Sequence, residues 1–217
     1  MKNIIALLPI STAQTLYMTI VSTLLACILG FPLGIILYGA SPAGLKPRKL
    51  LYDTLSRLVN LLRSLPFIIL MVLIMPLSRI IVGRGVGPTA VIIPLAIAAA
   101  PFVARITESA LQEVESGVLT AARAMGSSDI QIIIKVLIPE ALPALVSGLA
   151  LTIITVIGYS AMAGAIGGGG LGDIAIRYGY YRFQTEVTIA AVIVILALVE
   201  LFQAAGTIIS RSLLSKR

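Results

Sequence analysis

Hydrophobic residues fill five long stretches of this 217-residue chain, at 12–38, 58–82, 89–106, 142–166 and 187–209, and polar residues gather between them. An α-helix needs about 20 predominantly apolar residues to cross the hydrocarbon core of a bilayer, and each stretch is close to that length or longer. The runs are continuous rather than alternating. They therefore predict helices, not the strands of a closed barrel, which is the other way to satisfy a backbone in lipid. The expected fold class is an all-α, polytopic membrane protein of about five transmembrane helices, a single transmembrane domain over residues 1–217. A secretory signal does not explain the pattern, because the apolar runs recur along the chain and residues 1–9 carry one positive charge and no small-residue cleavage site.

The longest polar interruption, ESGVLTAARAMGSSDIQIIIKVLIPEALP, runs from Glu115 to Pro143 and makes up most of the loop expected between the third and fourth spans at 107–141. Between Gly117 and Gly126 the apolar residues Val118, Leu119, Ala122 and Met125 recur at helical spacing, with Arg123 turned away from them. Gly126 suits the end of that helix, because glycine accepts the left-handed conformation of a C-terminal cap. Ser128 followed by Gln131 matches a capping box, and Asp129 falls in a first turn, where negative charge suits the helix dipole. Pro139 and Pro143 mark the entry to the fourth span. The expected shape is helix, sharp turn, helix, with small residues at Ala121, Ala122 and Gly126 that admit another backbone closely. A helix lying on the membrane surface is the other reading the pattern leaves open.

Charge orients the spans. Lys46, Arg48, Lys49, Arg57, Arg63, Arg105, Arg123, Lys135, Arg211, Lys216 and Arg217 fall on one side, against Lys2, Arg79, Arg84, Arg177 and Arg182 on the other. Eleven against five places the N-terminus outside, the C-terminus in the cytoplasm and the polar loop on the cytoplasmic side. The net charge of +7 is thereby explained without nucleic acid, since the bases sit in short clusters between apolar runs. With no histidine and one cysteine, the chain has no internal disulfide and lacks the usual zinc, haem and nucleophilic-triad groups. No cofactor, no metal and no catalytic residues are expected. Cys27, within TLLACILGF, reads as a small packing hydrophobe.

Within the spans, Gly30, Pro32, Gly34, Pro94 and Pro101 predict either close helix packing or kinks around a path that opens and closes. No internal repeat is evident, which argues against an inverted-repeat secondary transporter. Glu200 lies inside the last span, where a charge is costly and marks function by default. A proton-coupled transporter using Glu200 is thus one alternative. Met162, alone among Ala161, Ala163 and Gly164, suits a constriction or ordinary packing, and Tyr159 and Ser160 beside it are further pathway or gate candidates. The glycine-rich residues 167–172 lack the Gly-Lys-Ser/Thr ending of a P-loop and fall on the outer side, so they predict a turn or a surface for an external protein.

The segment TAARAMG, nine residues, then VLIP resembles the EAA loop of ABC importer permeases, in which Glu-Ala-Ala, three residues, Gly, nine residues and Ile-x-Leu-Pro form the element seated in an ATPase subunit. Ala121, Ala122, Gly126 and Pro139 match, Val136 and Ile138 are conservative, and Thr120 stands where the family usually has Glu. Arg63-Ser-Leu-Pro-Phe-Ile-Ile-Leu70, Ala100-Pro-Phe-Val-Ala-Arg105, Gly158-Tyr-Ser-Ala-Met-Ala-Gly164, Gly169-Gly-Leu-Gly172 and Tyr178-Gly-Tyr180 resemble, in order, the methionine importer permeases. That resemblance implies a homodimer in the bacterial cytoplasmic (inner) membrane, importing L- and D-methionine. It implies two P-loop ABC ATPase subunits gripping Thr120, Ala121, Ala122, Arg123, Gly126 and Pro139, so that this chain is not itself an enzyme. An extracytoplasmic substrate-binding lipoprotein is implied as well, with Gly169, Gly170 and Gly172 as contacts. A permease for another amino acid or small polar solute is the alternative within the superfamily.

Overall fold

The computed structural model describes residues 7–215, so Lys2, Lys216 and Arg217 of the charge count lie outside the described residues. Among the described residues eight helices follow in order: α1 (Leu8–Ala40), α2 (Lys49–Ser64), α3 (Phe67–Val82), α4 (Pro88–Gln112), α5 (Ser116–Ala124), α6 (Asp129–Gly164), α7 (Gly170–Ile174, continued by a π-helical stretch, Ala175–Tyr180) and α8 (Thr185–Leu214). Helices α1, α4, α6 and α8 are each long and apolar enough to cross a membrane. Exposed Ile80, Leu73 and Ile193 show what surrounds the bundle, since large apolar side chains on an outer face are matched by acyl chains rather than water.

The second apolar run departs from the expected single span. It breaks between α2 and α3 with a bend of 103°. Pro66 supplies no N–H and disfavours the helical conformation at the residue before it, and both Leu65 and Pro66 are extended, with ψ of 131° and 130°. Helix α3 continues from the bend and packs Phe67, Leu70 and Met71 into the core, while α2 turns aside and packs Val59 against Leu37 and Ala104.

Helices α1 and α4 form the centre, and small residues let them approach. A Cβ on Gly34 would stand 2.5 Å from the Thr107 Cβ, and one on Gly30 would meet the Ala100 carbonyl, so these glycines serve close packing. Pro94 cannot donate to the carbonyl one turn back, at Ala90, and the hydroxyl of the buried Ser78 donates there instead. Met18, Leu70, Met71, Leu95 and Val156 close the core around this pair.

The fourth span begins earlier than the proline positions imply. Helix α6 is continuous from Asp129 through a π-helical stretch, Ile133–Leu137, so Pro139 lies within it. In that stretch the Ile138 N–H reaches back to the Ile133 carbonyl, a wider turn that precedes the proline. Helix α4 likewise extends to Gln112, and the segment between spans shortens from 107–141 to 113–128.

Candidate functional site

Segment 113–128 folds on local hydrogen bonds. Gly126 has φ of +79°, and the Ser127 N–H returns to the Ala122 carbonyl at 3.1 Å, closing α5. An L-residue resists that conformation, which is why the turn ends on glycine. The capping box is present: the Ser128 N–H donates to Gln131 Oε1 at 2.8 Å, and the Gln131 N–H to Ser128 Oγ at 3.4 Å.

The two faces of α5 differ from the expected division. Ala122, 3% exposed, packs inward on Tyr38, Leu111, Ile132 and Leu137, so it belongs to this chain's own core and not to an outward surface of small residues. The reason is nonlocal: the end of α1 and the start of α6 meet beneath it. Arg123 also turns to the body, donating from Nη2 to the Leu45 carbonyl at 3.1 Å. Lys46 pairs with Asp129 at 2.7 Å, an exposed bridge that sets position more than it stabilises. Thr120, Ala121, Met125 and Gly126 remain exposed, Met125 at 79%. The Thr120 hydroxyl donates to the Ser116 carbonyl at 3.0 Å, so the position usually held by a carboxylate presents only a back-bonded hydroxyl. Pro139, one helical segment further, is exposed on α6.

Beside the loop, a cavity of about 980 Å³ opens between α4, α5, α6 and α8. Arg105, Glu113, Glu115 and Glu140 give its wall both signs of charge, and Ser147 and Ser210 add hydroxyls. Arg105 anchors a network that pattern reading did not single out as a site. Its Nη1 lies 2.6 Å from Glu108 Oε2, and its Nη2 donates to the Ser56 carbonyl and to Asn60 Oδ1, both at 3.1 Å, and to the Ser56 hydroxyl. Glu108 is buried and also accepts from Gln112 at 3.4 Å. The network ties the sideways helix α2 to the central helix α4. The three-residue spacing of Arg105 and Glu108 was the available signal.

The pathway candidates separate. Met162 is 47% exposed and continues a stripe of α6 through Gly158, Thr155, Leu151 and Ser147 to the cavity. Tyr159 stacks on Phe67, ring centroids 4.6 Å apart, and joins the core. Ser160 is buried and bonded to the Ile157 carbonyl, so neither it nor the Tyr159 ring shares the open stripe.

The glycine turn at the opposite end is tightly held. Gly170 N–H donates to Gln14 Oε1 at 3.0 Å and Leu171 N–H to Thr15 Oγ1 at 2.9 Å. Gly170 and Gly172 are buried and Gly169 is half-buried, so these three residues pack one segment on another and offer little surface to an external protein. Tyr180, Tyr181 and Phe183 are the exposed groups nearby. A Cβ on Gly172 would lie 2.6 Å from Ala161 Cα. Gly172→Val is therefore expected to cut the membrane yield of folded protein severely, measured by size-exclusion chromatography in detergent.

A membrane bundle with an exposed stripe on α6, leading to a charged cavity beside the anchored helix α5, is an arrangement suited to the transmembrane subunit of a transporter. The chain belongs to the family of binding-protein-dependent transport system inner membrane components, whose model matches residues 30–215. Within it, the chain groups with the MetI permeases. It is 46% identical to the probable D-methionine transport system permease protein MetI of Vibrio cholerae, over 94% of this chain and 91% of that one. It is 48% identical to the D-methionine transport system permease protein MetI of Escherichia coli K12, over 70% of each. A chain of the MetNI methionine ABC transporter, solved in an inward-facing conformation, superposes with a TM-score of 0.95 at 44% identity, covering 98% of this chain and 99% of that one. The protein is thus a multi-pass inner-membrane permease subunit and not an enzyme.

Proposed function

We propose that this chain imports methionine, both D and L, as one of two copies that form a path along their shared face, driven by two P-loop ATPase subunits. The observation that carries this reading is the full-length likeness to the MetNI permease chain, together with an exposed Thr120–Ala121–Met125–Gly126 surface on a helix fixed to its own body. The loop end faces the cytoplasm in this reading, where the ATPases meet it, and an extracytoplasmic binding protein delivers substrate at the opposite end.

The geometry supports a mechanical link. Helix α5 is held by Ala122 and Arg123, and its turn leads directly into α6. Force applied at Ala121 therefore moves a single 36-residue helix with Met162 near its far end, about 50 Å of rise away. Transport needs only that ATP binding by the partners favour one of two packings over the other. Met162 is the proposed constriction.

The test is ATP-dependent uptake of labelled methionine by proteoliposomes holding this chain with its ATPase and binding protein. Unlabelled D- and L-methionine are expected to compete, and other amino acids far less. A complex that moves a different amino acid or small polar solute and no methionine would overturn the substrate. Family membership replaces the proton-coupled alternative, and uptake without ATP is not expected.

A further inference from the structure

The last span carries a carboxylate at its middle. Glu200 lies fifteen residues after Thr185 and fourteen before Leu214, so about 20 Å of helix separates it from either end of α8. It is exposed, and α8 packs on its neighbours through the opposite side, by way of Val187, Ala191, Leu198 and Gly206. No hydrogen bond or ion pair to Glu200 is found among the described residues. A carboxylate at that depth is costly against acyl chains and is retained where water, a partner or a substrate meets it.

Its own helix shows which. Glu200, Gln203, Thr207, Ser210 and Leu214 follow at intervals of three, four, three and four residues, the spacing of one helical face. The last two line the 980 Å³ cavity, Gln203 is exposed, and Thr207 is half-exposed. Polar groups thus lead from Glu200 down to the charged cavity. The facing helix sets the level. Gly206 packs on Ala150 and the Ser210 hydroxyl donates to the Pro143 carbonyl at 3.0 Å, so α8 and α6 run antiparallel. Six residues back from Gly206, Glu200 comes level with Thr155 to Gly158, on the open stripe that carries Met162.

We infer that the Glu200 face of α8 is one wall of the translocation path, and that the Glu200 carboxylate is a transient binding site for the ammonium group of the amino-acid substrate between the Met162 constriction and the cavity. The inference rests on the reading of this chain as an amino-acid importer. An ammonium donates to a carboxylate through charge-assisted hydrogen bonds, and Gln203 and Thr207 give it further acceptors on the way out.

Two measurements on the reconstituted complex, in a Cys27→Ala background, test it. Glu200→Cys is expected to react with a charged, membrane-impermeant methanethiosulfonate added from the loop side, whereas Leu201→Cys, about 100° round the helix and also exposed, is not. An unreactive cysteine at position 200, or equal reaction at both, would place the face in lipid or in open solvent and overturn the path. In uptake, Glu200→Gln is expected to raise the methionine KM about tenfold, with ATPase activity retained and partial recovery in Glu200→Asp. An unchanged KM overturns the ammonium site. The labelling needs no substrate, so a wild-type complex that moves no methionine counts against the import reading alone, and the path still stands or falls on position 200.

Discussion

Ala122→Glu is expected to abolish ATP-dependent uptake, and to do so by detaching the surface helix from its own subunit. The site is 3% exposed and walled by Tyr38, Leu111, Ile132 and Leu137, so a carboxylate there is buried among apolar groups at a cost of roughly several kcal/mol. The chain escapes that cost by lifting α5, which removes the rigid seat between the ATPase and α6. Partial proteolysis is expected to cut within 113–128 in the variant and not in wild type, while ATP hydrolysis continues without uptake. Ala121→Trp provides the contrast. Ala121 is exposed, so the indole leaves the fold and protease resistance intact and blocks the partner's approach. Wild-type uptake by Ala121→Trp would remove this face from the coupling mechanism, and protease resistance in Ala122→Glu would overturn the inward role of Ala122.

The second large effect is expected at Arg105. Arg105→Ala removes the cation from Glu108, whose side chain is 4% exposed in the intact network, and it strips Ser56 and Asn60 of their donor. Breaking a buried pair from one side costs about 3–5 kcal/mol. The variant should therefore show a clear drop in thermal midpoint in detergent. Arg105→Ala combined with Glu108→Ala should recover part of the loss, because no buried charge is then left unpaired. Additive losses in the double variant would show that the two side chains act separately. The network also holds α2 crosswise on α4, so the single change should loosen 49–64 ahead of the rest, read by amide hydrogen exchange.

Much of this was legible along the chain because its causes are local. A continuous apolar run predicts a span from the cost of burying backbone in lipid, whatever the neighbours are. The capping box at Ser128 and Gln131 and the left-handed turn at Gly126 close within a few residues, so their spacing alone predicted the helix, turn and helix that the structure shows. Pro66 was equally visible, yet a hydropathy run from 58 to 82 absorbed it; the break becomes a bend of 103° because α2 finds Leu37, Ala104 and Arg105 to pack on.

Facing and partnership belong to the tertiary structure. The helical pattern put Ala122 and Met125 on one apolar row, yet Ala122 meets Tyr38 while Met125 stays 79% exposed, and the spacing does not say whether that row turns to the chain's own core or outward. The glycines at 170 and 172 read as a turn or a surface for an external protein until Gln14, Thr15 and Ala161 close on them. Glu200 read as an isolated intramembrane charge, and its level beside Thr155 to Gly158 of α6 follows only from how α8 lies against α6. Solvation and hydrogen bonding within a turn are written into neighbouring residues, so the chain alone states its apolar runs, its caps and its family. Which face is buried depends on segments distant in sequence meeting in space, 156 positions apart at Gln14 and Gly170 and 67 at Pro143 and Ser210, and that meeting divides buried core from exposed face.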